Sequence, residues 1–81
     1  MYSIKKDGKV VGNGLSKGEL NQWLIDLDKV LPEHQQELFR KDLGLDKQVS
    51  DAYFEDFLYD NKLELPITTT HAGKELIIYK Y

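Results

Sequence analysis

No cysteine occurs among the 81 residues. The chain therefore forms neither a disulfide framework nor a thiolate metal site, and a reducing, cytoplasmic setting is the expectation. Long apolar runs are missing as well. Nothing approaches the ~18 consecutive apolar residues of a membrane span, and the opening Met1-Tyr2-Ser3-Ile4-Lys5-Lys6-Asp7 lacks an apolar signal core. There is no basic excess: with a formal charge of −3 and an isoelectric point near 5.2, non-specific attraction to phosphate backbones is weak. Neither an internal repeat nor a low-complexity tract is visible. A chain of this length builds one domain, residues 1–81, around one modest core.

Charge is present, but it is segregated. Of 14 Asp and Glu residues, 12 lie between Glu19 and Glu64, against five Lys or Arg, a local balance of −7. Lys5, Lys6, Lys9 and Lys17 precede that block and Lys74 and Lys80 follow it. The acidic block is also where helical periodicity lies, and the flanks read as strands.

Asp7-Gly8 marks a tight turn, since both central positions of a type I′ hairpin need positive φ. Folding about it sets Lys6 opposite Lys9, Ile4 opposite Val11 and Tyr2 near Asn13, so that Tyr2, Ile4 and Val11 face a core. Ser16 and Glu19 then form a capping box, flanked by Leu15 and Leu20 as a hydrophobic staple. Leu20, Trp23, Leu24, Leu27, Val30 and Leu31 share one helical arc, which leaves Ile25 among polar residues and exposed. Pro32 ends this helix and opens the next. A second helix is expected over Glu33–Leu43, with Leu38, Phe39 and Leu43 inward and Gly44 as its left-handed stop. A third is expected from a cap at Asp46 to about Asp60, with Asn61 at its end and Tyr53, Phe54, Phe57 and Leu58 inward. His71-Ala72-Gly73 reads as a three-residue hairpin loop, pairing Ile67 with Ile77, Leu65 with Tyr79, Leu63 with Tyr81 and Glu64 with Lys80. Pro66 places the strand before that loop at a sheet edge. Two hairpins around three helices predict an α+β domain whose small antiparallel sheet is covered by helices on one face.

Sites for catalysis are hard to find. Gly12-Asn13-Gly14-Leu15-Ser16-Lys17-Gly18 links strand to helix, but Lys17 stands where a dinucleotide-binding turn needs its third glycine. His34 and Glu37 sit one helical turn apart without further ligands, and His71 is expected in solvent at a hairpin tip. No serine has a nucleophile-elbow context. The expectation is a protein that is not an enzyme and holds no metal or cofactor.

The order helix, glycine turn, helix, hairpin resembles in outline a winged helix-turn-helix. That resemblance implies Glu33–Leu43 as supporting helix, Lys47–Asp60 as recognition helix and Thr70–Lys74 as wing tip. The chemistry of the third helix opposes it, because Asp51, Glu55, Asp56 and Asp60 would be driven toward phosphates. The same residues suit a protein partner. Asp51/Glu55 and Asp56/Asp60 are like charges at i, i+4, each costing a few tenths of a kcal/mol, and Tyr59 stands among them as a natural anchor. The expectation is an adaptor, inhibitor or regulatory domain that binds a basic protein surface through an acidic helical face. Its candidate contact residues are Asp51, Glu55, Asp56, Tyr59 and Asp60, with Ile25. A winged-helix DNA-binding domain is the alternative, and an edge strand offers a route to pairing with a second copy.

Overall fold

The computed structural model describes residues 1–60 and 62–81, so the expected helix end at Asn61 lies outside the described residues. Strands β1 (Tyr2–Lys6) and β2 (Lys9–Leu15) form the first hairpin. Helices α1 (Lys17–Lys29), α2 (Glu33–Leu43) and α3 (Asp51–Tyr59) follow, and β3 (Ile67–His71) and β4 (Lys74–Lys80) complete the chain. The strands make one open antiparallel sheet in the order β2-β1-β4-β3. This is the expected α+β architecture.

Asp7 and Gly8 take φ values of 53° and 80°, as a type I′ turn demands. Lys6 faces Lys9, but two irregularities then shift the register, giving Ile4↔Gly12 and Tyr2↔Leu15. The expected pairing of Ile4 with Val11 is therefore wrong, and Val11 is exposed. The bulges put Gly12 inward, beneath the ring of Trp23. A Cβ there would lie 3.1 Å from Leu15 Cδ1 and 3.3 Å from Trp23 Cε2, so any larger residue would have to push these side chains aside.

The second hairpin turns on two residues, not three. Ala72 and Gly73 both have positive φ, 52° and 79°, which closes a two-residue turn with His71 opposite Lys74. The register slips by one from the expectation: Ile67 faces Ile78, and Leu76 faces Thr69. A slip of one exchanges the faces of a strand. Leu76 and Ile78 are fully buried, and Ile77 and Tyr79 lie on the side away from the helices. β3 begins only at Ile67, so Leu63, Glu64 and Leu65 do not pair with Tyr81, Lys80 and Tyr79. Leu63 and Leu65 instead pack beside the core as half-buried loop residues. β3 is an edge strand, as Pro66 required.

The capping box forms: the Glu19 amide donates to Ser16 Oγ at 3.2 Å, and the Ser16 amide donates to Glu19 Oε1 at 2.9 Å. Helix α1, however, is rolled by roughly a quarter turn from its expected arc. Its buried residues are Leu20, Asn21, Leu24, Ile25 and Asp28. Asp28 turns inward because Arg40 of α2 meets it, Nε to Oδ1 at 3.0 Å and Nη2 to Oδ2 at 2.7 Å. On α2, Phe39 and Leu43 are buried as expected, but Leu38 is exposed. Gly44 stops the helix at φ 121°. Helix α3 starts at Ser50, not Asp46: the Tyr53 amide donates to Ser50 Oγ at 3.1 Å. Before it, Leu45 is buried in the core and Arg40 Nη1 holds the Val49 carbonyl at 3.2 Å, which ties that link down as non-helical chain.

Candidate surface on helix α3

Helix α3 is fastened by Phe54, Phe57 and Leu58, at i, i+3 and i+4, with exposures of 2%, 9% and 0%. Three anchors on one side dictate what faces out. Ala52, Asp56, Tyr59 and Asp60 are exposed, Glu55 is half-buried and Tyr59 shows 61% of its surface. Tyr53 was expected inward; it is 51% exposed. Its position lies roughly 95° from the mean direction of the three anchors, too far round to join them. Two phenols therefore bracket the Ala52–Asp56 ridge, one on each flank. The phenol that sequence reasoning missed would have been found by drawing the apolar arc more narrowly.

Asp51 is exposed but not free. Its Oδ1 accepts from Arg40 Nη2 at 2.8 Å, while its side chain remains 87% accessible. Arg40 itself is buried, stacked over the Phe54 ring at 4.6 Å, and its guanidinium is held well above the ordinary arginine range. The hydrogen bonds to Asp28 are the main cause; burial opposes them, and Asp51 adds to them. Among the described residues, no cation lies within 4.0 Å of Glu55, Asp56 or Asp60. Asp56 and Asp60 also sit at the C-terminal end of α3, whose last turn holds no basic residue. Carboxylates there oppose the helix dipole, typically at 0.3–1 kcal/mol each, on top of their mutual repulsion. Helix stability gives no reason for these charges.

Ile25 does not belong to this surface. It is 5% exposed and packs in the core, because the roll of α1 carries it inward with Asp28. His71 is likewise not in solvent. It is 3% exposed, with its ring edge-on to Phe39 at 5.7 Å between centroids. Its Nε2–H donates to the Leu27 carbonyl at 2.8 Å and its Nδ1 accepts from Lys6 Nζ at 2.9 Å. A carbonyl can only accept and an ammonium only donate, so both nitrogens are used to peg β3 to α1 and β1. Because the loop is only Ala72-Gly73, His71 is the last residue of β3, and alternation turns it to the same side as buried Ile67 and Thr69. His34 and Glu37 are exposed, and among the described residues no group of three His, Asp or Glu converges as a metal site would require.

The strand-to-helix loop spends its polar groups internally. Ser16 caps its own helix, and Lys17 lies over the Tyr2 ring at 5.7 Å, its ammonium pKa lowered by partial burial. Elsewhere, no helix among the described residues is long and apolar enough to cross a membrane. No family model, no curated protein and no solved structure matches this chain.

Proposed function

We propose that this chain is a non-enzymatic binding domain that docks a basic surface of another protein onto the outer face of α3. Tyr59 and Tyr53 are the anchors, Asp56 and Asp60 supply charge complementarity, and Glu55 borders the patch. Asp51 contributes charge while tied to Arg40. The single observation that carries this reading is the placement of two exposed phenols beside carboxylates that no cation among the described residues neutralises, at a helix end where they weaken the fold. Such groups lower the stability of the free protein and add affinity only when a cationic partner arrives. Tyr is enriched at binding hot spots, and flanking charge steers the encounter. The absence of cysteine favours a cytoplasmic setting. The sheet edges β2 and β3 offer a route to a second copy, but two bulges interrupt β2 and Pro66 precedes β3, features that discourage edge pairing.

The test replaces Asp56 and Asp60 together by Lys. Both are exposed, so the circular dichroism spectrum should not change. Wild-type chain on a column should enrich proteins with basic surfaces, and the double variant should lose that enrichment by roughly tenfold or more. Equal enrichment by both baits overturns the proposal. Salt-sensitive retention of the wild-type chain on duplex DNA would favour the winged-helix alternative instead.

A further inference from the structure

Helix α1 carries more apolar surface than the core uses. Leu20, Trp23, Leu27 and Val30 recur at alternating spacings of three and four, the pattern of a helix–helix seam. Leu20 is fully buried, but Trp23 and Leu27 are only half-buried and Val30 is 73% exposed. The roll that buries Ile25 and Asp28 leaves Trp23, Leu27 and Val30 outside. Together with Glu19, Gln22 and Asp26 these three line an open groove of ≈ 460 Å³. A core-facing helix ordinarily presents an apolar stripe of about 100° or somewhat more; the apolar positions from Val30 round to Ile25 span roughly 220°, and a seam of this spacing suits another helix lying along it.

The rim selects the occupant. Glu19 and Asp26 are seven residues apart, hence on the same side of the seam, and both are exposed. Neither has a cation within 4.0 Å among the described residues. Lys17 is drawn over Tyr2, and Lys29 points about 100° away from Val30. A second copy of α1 laid antiparallel on the seam would set Asp26 against its own twin, a like-charge contact that rejects self-pairing.

We infer that this groove binds an amphipathic helix of a partner protein whose apolar stripe is flanked by basic residues. No residue of α3 lines it, so it is a separate surface from the phenol-and-carboxylate face and does not depend on how that face is read. Trp23 is the chain's single tryptophan and stands in the groove wall, so its emission reports occupancy directly.

The experiment titrates the full chain with a synthetic helix of about three heptads, carrying leucine at the seam and lysine at the flanks. Trp23 emission should move to the blue and saturate. A sister peptide with glutamate at the flanks should bind at least roughly tenfold more weakly. Val30→Asp, at a site 73% exposed, should weaken the lysine peptide by roughly tenfold or more. Asp56→Lys on α3 should change its binding by no more than about twofold, which separates this groove from the α3 face. Equal response to both peptides, or an unchanged titration with Val30→Asp, overturns the inference. So does a chain that sediments alone as a dimer which Val30→Asp dissolves, since the occupant would then be a second copy.

Discussion

Asp28→Ala removes the group that orients α1 against α2. Asp28 and Arg40 are 3% and 7% exposed. Of the four hydrogen bonds the guanidinium donates, two go to Asp28, one to the Val49 carbonyl and one to Asp51. Taking one partner from a buried ion pair typically costs 3–5 kcal/mol, because the other charge stays desolvated. Asp51 remains beside Arg40, but it is so accessible that it compensates only in part, which places the expected loss at about 3 kcal/mol. A domain of this length holds of order 8 kcal/mol in total, so the loss is a large fraction of its stability. At about 2.1 cal/mol/K per residue, the 81 residues give an unfolding entropy of roughly 170 cal/mol/K, and the thermal midpoint should fall by about 15–20 °C. The double variant Asp28→Leu/Arg40→Met tests the cause. It removes both charges, and methionine can fill the space over Phe54, so it should lie within about 1 kcal/mol of wild type. Thermal and urea melts followed by circular dichroism measure all three proteins. A single variant within about 1 kcal/mol of wild type, or a double variant no better than the single, would refute the assignment of this pair as a desolvated charge pair.

Ser16→Ala should lower the thermal midpoint by about 5 °C, the size of one helix cap. The capping box also carries a pH dependence. The Glu19 carboxyl is held below the ordinary glutamate range, first by the Ser16 backbone amide and then by the Ser16 side chain. A carboxyl whose pKa is lower in the folded state adds stability that is complete above the ordinary range and fades as pH falls through the folded value. Ser16→Ala keeps that backbone donor, so Glu19→Gln is the comparison: wild type should lose more stability on acidification than Glu19→Gln, and parallel curves would count against the capping box. Glycines give a paired contrast. Gly12→Ala should cost about 1–2 kcal/mol through contact with Leu15 and Trp23, whereas Gly18→Ala, within α1 and facing open space, should gain about 0.5 kcal/mol. Urea midpoints of the two proteins decide it, and shifts of the same sign would contradict the packing described.

What could be read in the amino-acid sequence was what local chemistry controls. The Asp7-Gly8 turn, the Ser16–Glu19 box, the Gly44 stop and the alternation of hairpin, helices and hairpin all announce themselves within a few residues. Failures arose where a distant partner decides. The roll of α1 depends on Arg40 meeting Asp28 across twelve positions, and a stripe pattern alone could not choose between two apolar sides of one helix. The true start of α3 depends on Arg40 as well, through the Val49 carbonyl. The second hairpin misled for a different reason: Ala72 adopts positive φ, which its residue type does not advertise, and one miscounted loop residue reversed the faces of β4 and hid the burial of His71. On α3 the structure places Asp56, Tyr59 and Asp60 in the open, sets Glu55 at the border, ties Asp51 to Arg40, sends Ile25 to the core and adds Tyr53.

The two middle strands of the sheet come from opposite ends of the chain, with Ser3 beside Tyr79 and Lys5 beside Ile77. Everything between β1 and β4 must therefore be synthesised before these two strands can meet. Until then β1 and β2 lack a third strand, and ribbons of two strands are marginal in water. Contacts this remote in sequence slow the search for the native state. They also make it all-or-none, since deleting β4 would leave β1 and β3 without the neighbour that joins the two halves of the sheet.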